Sequence, residues 1–226
     1  MKKFKILLCT LCVIVLSVLF SACIFESEPI DGEELVFAAR DKYESYNSAK
    51  VLITNEDTDK VEQTFVFKYD EKDSLTYLYE GGYEDENYIQ YNNGFECFTE
   101  QNGEYTFSQH GDDEFEAYNR DSKHPQASGA YLPFDKGAIE EAVKSEENGE
   151  TVYTYVYDPN SFDSDAGVRE FSVVYHFDHD GNLLYFEEKS VVEADGEKSD
   201  HAYKIEITEI NKVDEIENPL KDKAKS

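Results

Sequence analysis

The chain has 226 residues, with 50 acidic groups against 21 basic ones and a formal net charge of -29. Nucleic-acid backbones are held by clustered Lys and Arg, so this balance argues against a polynucleotide partner. Hydrophobic residues make up 40% and aromatics 14%, with 17 Tyr and 15 Phe, which excludes a disordered acidic tail and provides for a real core.

Residues 1–5 carry three lysines, and residues 6–20 are an apolar run broken only by Cys9, Thr10, Cys12 and Ser17. The run is shorter than the roughly 20 residues a membrane-crossing helix needs, so residues 1–22 read as an export signal. The stretch Leu19-Phe20-Ser21-Ala22-Cys23 resembles the lipobox of bacterial lipoproteins, with Phe20 where Leu is usual. That resemblance implies cleavage before Cys23 and a diacylglycerol, palmitate-type anchor on its thiol. The anchored chain is then tethered in an extracytoplasmic position, each buried acyl CH₂ contributing about 0.8 kcal/mol. Cys9 and Cys12 leave with the signal and Cys23 takes the lipid. Only Cys97 remains, in Phe95-Glu96-Cys97-Phe98, where it reads as a buried structural thiol. Without residues 1–22 the chain keeps 18 basic and 50 acidic groups, a net of -32. Anionic headgroups repel such a surface, so attachment rests on the lipid.

Residues 23–32 form the lipidated cysteine and a short acidic linker with Pro29. Asp31 and Glu34 then have capping-box spacing, and Leu35, Ala39, Tyr43 and Tyr46 recur at helical intervals, predicting a helix over 33–47 whose stripe packs on a sheet. From residue 48 the period becomes two. Val61, Phe65, Phe67 and Tyr69 alternate with polar residues, as do Phe171, Val173, Tyr175 and Phe177, and later Tyr203, Ile205 and Ile207. Turn signals separate these strands, among them Asp57-Thr58-Asp59, Asn92-Asn93-Gly94, Gln101-Asn102-Gly103 and Asp180-Gly181-Asn182. A loop over 121–134 with Pro125 and Pro133 interrupts the meander. It leads at Asp135 into a predicted second helix with apolar Ala138, Ile139, Ala142 and Val143. The expected fold is α+β, a strongly curved antiparallel half-barrel of about 9–11 strands covered by one or two helices. It forms a single domain over 33–219 with a tail at 220–226.

A lipobox, a first helix ending in Tyr43-Glu44-Ser45-Tyr46, a long meander with one break, and the closing phrase Ile207-Thr208-Glu209-Ile210-Asn211-Lys212-Val213 with Ile216 and Pro219 together resemble the LolA/LolB and LppX-like lipoproteins. The resemblance rests on topology and texture across 33–219. It implies an apolar cavity for acyl chains of a lipid or lipoprotein, and no catalytic residues. The inner-face aromatics Phe65, Phe67, Tyr77, Tyr79, Tyr88, Tyr91, Phe171, Tyr175 and Phe177 are the candidate lining. Rings at that density either line a cavity or fill it.

Chemistry-bearing patterns are sparse. No G-x-S-x-G elbow, H-E-x-x-H or glycine-rich phosphate loop is present, so neither an enzyme nor a cofactor is expected. Of the five histidines, His110, His124 and His201 stand alone. His176-Phe177-Asp178-His179-Asp180, with Gly181 and Glu187, outlines an EF-hand loop. His176 stands where the first aspartate belongs, and the segment reads better as a hairpin turn. The acidic loops at Asp158, Asn160, Asp163 and Asp165, and at Gly111-Asp112-Asp113-Glu114, offer oxygens for weak calcium binding. Tyr153, Tyr155 and Tyr157 share one strand face and read as packing. Two functions remain open: a monomeric, membrane-anchored binder of lipid or lipoprotein, or a solidly packed surface module recognising a protein or cell-wall partner. Ile24 lacks the aspartate that marks inner-membrane retention, so in a host with an outer membrane the expectation is delivery there.

Overall fold

Alternation of large apolar with polar residues folds this chain into one sheet. The computed structural model describes residues 29–82, 87–120, 132–163, 167–194 and 196–223. The signal segment, Cys23, His124, Pro125, Asp165 and Asp195 lie outside the described residues. Those from Asp31 onward belong to one compact unit.

A helix, α1 (Glu33–Glu44), precedes eleven strands: β1 (Ser48–Asn55), β2 (Lys60–Tyr69), β3 (Leu75–Gly81), β4 (Tyr88–Asn92), β5 (Glu96–Gln101), β6 (Glu104–Gln109), β7 (Ile139–Glu147), β8 (Glu150–Tyr157), β9 (Val168–Phe177), β10 (Leu183–Ala194) and β11 (Glu197–Thr208). Their order is β6-β5-β4-β3-β2-β1-β11-β10-β9-β8-β7. Two antiparallel meanders are therefore joined where β1 pairs β11, with Val51 opposite Ile207 and Ile53 opposite Ile205. The sheet is curved and does not close. The α+β half-barrel expected from the periodicity is what forms.

The first helix starts where the sequence places it but without the expected capping box. Its N-cap is Gly32 at φ 81°, with no side-chain cap. A Cβ there would come within 2.5 Å of the Tyr153 ring and 2.6 Å of the Tyr155 hydroxyl oxygen, so close approach of backbone to aromatic selects glycine. The Asp31 carbonyl accepts a 2.8 Å hydrogen bond from the Tyr155 hydroxyl.

The second predicted helix does not form. Residues 135–138 make a turn and Ile139 begins β7, paired along its length with β8. The signal that decides this is Asn148-Gly149, with φ of 53° and 87°, a hairpin turn joining two strands in register. Ala138, Ile139, Ala142 and Val143 match helical spacing over barely one and a half turns, too short to outweigh eight residues of ladder. Glu140, Glu141, Glu146 and Glu147 make β7 a charged edge, which discourages further strand addition.

Each face of the sheet has its own cover. α1 and the segment from Leu132 to Ala138 lie over one, here the helix face. On the other, residues after β11 cross back. Val213, Ile216 and Leu220 pack with Tyr91 and Phe98, flanked by Val66, Leu78 and Ile89. Asn211 steers this return. Its side-chain oxygen accepts from the Asn47 amide at 2.7 Å, and its own amide donates to the Ser48 carbonyl at 2.7 Å. Leu220 is 0% exposed, so packing reaches into the expected tail. Tyr91 consequently faces away from the helix, on the side opposite the other candidate lining rings.

Candidate functional site

Cross-strand partners share a face, and the helix face can be followed row by row. One end lies under α1. Ala49 and Val51 of β1, Phe65 and Phe67 of β2, Tyr77 of β3, Tyr153 and Tyr155 of β8, Tyr175 and Phe177 of β9, Phe186 of β10 and Ile205 of β11 are all buried there. Their rings touch one another. Tyr43 of α1 meets Phe67 edge-on at 5.8 Å, Phe65 lies 5.6 Å from Tyr77, and Tyr175 stacks on Phe186 at 5.5 Å. Phe134 meets Tyr155 at 4.9 Å and 89°. Side chains also tie the cover down. Arg40 donates from Nε to the Leu132 carbonyl at 2.7 Å, while the hydroxyls of Tyr157 and Tyr175 donate to the Pro133 carbonyl at 3.1 and 2.6 Å. Burial pushes the Tyr157 hydroxyl up to about 12 and Tyr175 well above its ordinary value. A cleft of about 150 Å³ runs beside α1, between Ala38, Ala39 and Lys42 and the strands carrying Leu183, Ile205 and Ile207.

Further along the same strands the character changes. Ile53 and Asn55 follow Val51; Gln63 precedes Phe65; Tyr79 follows Tyr77; Glu188 and Ser190 follow Phe186; and Tyr203 and His201 precede Ile205. All of these are half-buried. The Tyr79 hydroxyl donates to Gln63 Oε1 at 3.0 Å, and its ring meets that of Tyr88 at 5.7 Å. Phe171 touches Tyr157 at 5.3 Å and Phe162 at 5.1 Å. A bulge at Ile53/Thr54 shifts the register of β2, which leaves Val61 52% exposed although it keeps step with Phe65 in sequence.

Two open clefts of about 570 Å³ each flank this end and share His201. One lies at Asn55, Val61, Gly81 and Tyr203. The other is walled by Val156, Ser172, Lys189, Val191 and Ala202, which by register face away from α1. Both fall in the size range of small-molecule sites. The candidate lining thus divides. Phe65, Phe67, Tyr77, Tyr175 and Phe177 are buried at the covered end, Tyr79, Tyr88 and Phe171 are half-buried, and Tyr91 belongs to the other face. The structure adds Tyr203 of β11, and also Gln63, Glu188 and Ser190, which are not aromatic. Their signal was the polar intrusion into an otherwise apolar period-two register.

The remaining sequence candidates lie elsewhere. Asp178 to Asn182 is a hairpin turn, as read from Asp-Gly. Asp178 Oδ1 accepts from the amides of Asp180 and Asn182 at 2.9 and 2.8 Å, and the Asn182 amide in particular lowers its carboxyl. Asp158 likewise turns its oxygen onto the Asn160 amide at 2.8 Å. His176 faces away from α1, stacked on Tyr185 at 4.2 Å, with Nδ1 3.1 Å from Glu150 and Nε2 3.5 Å from Glu187. No cluster of three His, Cys, Asp or Glu suited to a metal occurs among the described residues. Cys97 is half-buried and free, its thiol raised by burial.

The fold and this face define an open antiparallel α+β sheet with a covered, ring-packed end and an uncovered polar-apolar end. No family model and no curated relative matches the chain. Among solved structures it is similar to the crystal structure of LprF from Mycobacterium bovis, at 11% identity and a TM-score of 0.45 over 82% of this chain and 95% of that one. Similarity at that level leaves the functional reading to the residues of this chain.

Proposed function

We propose that the chain is a non-catalytic extracytoplasmic lipoprotein, anchored through Cys23, whose domain binds an acyl-type amphipathic ligand at the uncovered end of the helix face. One observation carries this reading. The same strands that bury Phe65, Tyr77 and Phe186 under α1 present Gln63, Tyr79 and Glu188 half-open, beside a cleft of about 570 Å³ at Asn55, Gly81 and Tyr203. A domain built only to be stable would continue the apolar register. A site for a molecule with a chain and a head needs apolar walls with a few convergent polar groups. The lipid anchor holds the domain at the membrane, where such molecules are concentrated.

Native mass spectrometry of the chain from residue 24, purified from a bacterial host, tests this. A stoichiometric acyl-chain adduct is the expected result. A clean apo mass, with no uptake of a fluorescent fatty acid or fatty amine, overturns it and leaves the packed surface module.

A further inference from the structure

An open sheet has two edges, and here they differ. Among the described strands the sheet ends at β6 on one side and at β7 on the other. β7 carries Glu140, Glu141, Lys144, Glu146 and Glu147, charges that keep another strand from adding. β6 carries only Glu104, at its first position, followed by Tyr105-Thr106-Phe107-Ser108-Gln109. Tyr105 and Phe107 face away from α1 and are 40% and 38% exposed. The Phe107 ring lies 4.9 Å from that of buried Phe98, so the core on that face runs out to this edge. The backbone fixes which groups turn outward. The turn at Asn102-Gly103, with φ of 52° and 86°, closes on Gln101 opposite Glu104, so Glu104, Thr106 and Ser108 bond inward to β5. Tyr105, Phe107 and Gln109 turn their N–H and C=O outward. At Gln109 both are occupied: its N–H donates to Asp112 Oδ2 at 2.8 Å, and its carbonyl accepts from the Asp112 amide at 2.9 Å.

We propose that β6 is a self-association edge, whose partner is β6 of a second copy of this chain running antiparallel, with Thr106 on the twofold axis. This departs from the monomer expected of the sequence and is independent of the ligand reading. With Gln109 occupied by Asp112, the joint is made by Tyr105 and Phe107. Setting Tyr105 opposite Phe107 of the second copy lets the outward N–H and C=O of each meet those of the other. A shift of two residues in either direction brings in Gly103 of the turn or the occupied Gln109. The side chains suit the same register. Away from α1, each Tyr105 ring lies beside Phe107 of the other copy, which carries the Phe98 core across the joint. On the helix face Thr106 meets Thr106 and Glu104 meets Ser108. No acid is set against an acid, although each copy has a net charge of -29. Lys223, whose Nζ lies 6.0 Å from the Tyr105 ring centroid, adds a cation at this edge. Repulsion between the two acidic bodies acts at longer range, so salt strengthens the pairing.

The test is sedimentation equilibrium of the chain from residue 24 across a concentration series, at low and at high salt. Among the described residues every buried apolar side chain lies between Val36 and Leu220, so this chain retains both cores. A reversible monomer–dimer equilibrium is expected, shifted toward dimer by salt. Tyr105→Pro removes an outward N–H and no bond to β5, and is expected to weaken the dimer at least tenfold. Ala142→Pro, the same change at an outward position of β7, leaves it unaltered. Cross-linking reads the register separately, with Cys97→Ser so that each chain keeps one thiol. With oxidised glutathione, Thr106→Cys is expected to give a disulfide-linked dimer, because facing residues of a non-hydrogen-bonded pair lie within disulfide reach. Ser108→Cys is expected to give none. The cross-link decides the matter if the proline variant does not fold. A monomer at every concentration and salt overturns the proposal. So does a dimer that Tyr105→Pro leaves unchanged or that Ala142→Pro weakens equally, and so does linkage through Ser108→Cys in preference to Thr106→Cys.

Discussion

The two ends of the helix face are made by the same strands and differ in what they spend their side chains on. Under α1, β10 contributes Phe186, which is 0% exposed and stacked on Tyr175. Two residues on it contributes Glu188, with no hydrogen bond or ion pair among the described residues. On β2 the corresponding step is from Phe65 to Gln63, and on β3 from Tyr77 to Tyr79. A period of two alone would make both ends alike. Cover makes the difference: α1 and the 132–138 segment exclude water from one end, where rings then fill the space. At the other end the register admits polar groups that are neither fully solvated nor fully paired. Stability is concentrated at the first end, and the proposed binding site lies at the second.

That division is broken first at the covered end. Phe186→Ala removes a fully buried ring stacked on Tyr175, and a loss of about 3–5 kcal/mol is expected from urea unfolding. A loss below about 1 kcal/mol would mean the rings are not a continuous core.

The next largest effect has the opposite sign and depends on pH. Glu188 has its carboxyl raised from 4.5 to about 7 in the folded chain, so between those values the folded state holds the proton more tightly than the unfolded one. Stability from this group is therefore full below about pH 4.5 and declines as pH rises through 7. At about 1.4 kcal/mol per unit the difference is ~3 kcal/mol. Glu188→Leu is expected to be more stable than the parent by that order at pH 8, with the pH-dependent part of the advantage gone at pH 4. A difference independent of pH would show that the carboxyl is solvated after all.

Tyr155→Phe sharpens the comparison on a smaller scale. Its ring stays buried, and only the 2.8 Å donation to the Asp31 carbonyl at the start of α1 is lost. The expected cost is about 1–2 kcal/mol in thermal or urea unfolding, with hydrogen exchange accelerated in the first turn of α1 and not in β2. Uniform acceleration would instead mean that the bond supports the whole sheet.

How far this division was legible depends on range. Strands and α1 were readable because Phe65, Phe67 and Tyr69 keep one period over a whole element, and Leu35, Ala39 and Tyr43 another. Residues 139–147 were misread because Ala142 and Val143 satisfy a helical spacing locally, whereas Asn148-Gly149 and the partner strand decide the outcome. Tyr91 was assigned to the wrong face because no local pattern reveals that Val213, Ile216 and Leu220 return over β4 and β5. Val61 was misjudged through a single bulge. Glu188 was hidden for the same reason as Tyr91: its sequence neighbours are Glu187 and Lys189, and only the pairing of β9, β10 and β11 places it among Val173, Phe186 and Tyr203.

The smallest expected stability effect is the most informative about function. Gln63 is half-buried, and its Oε1 accepts the Tyr79 hydroxyl at 3.0 Å. In Gln63→Ala that hydroxyl turns to water, which already reaches this end, so the cost should stay within about 1 kcal/mol. Residues that build a packed core cannot be truncated so cheaply, whereas residues that shape a binding recess can. If the uncovered end is a site, Gln63→Ala leaves the melting temperature nearly unchanged and still lowers uptake of a fluorescent fatty acid. Reduced uptake with unaltered stability would separate the two ends by experiment as the structure separates them by burial. Unaltered uptake would move the site away from β2.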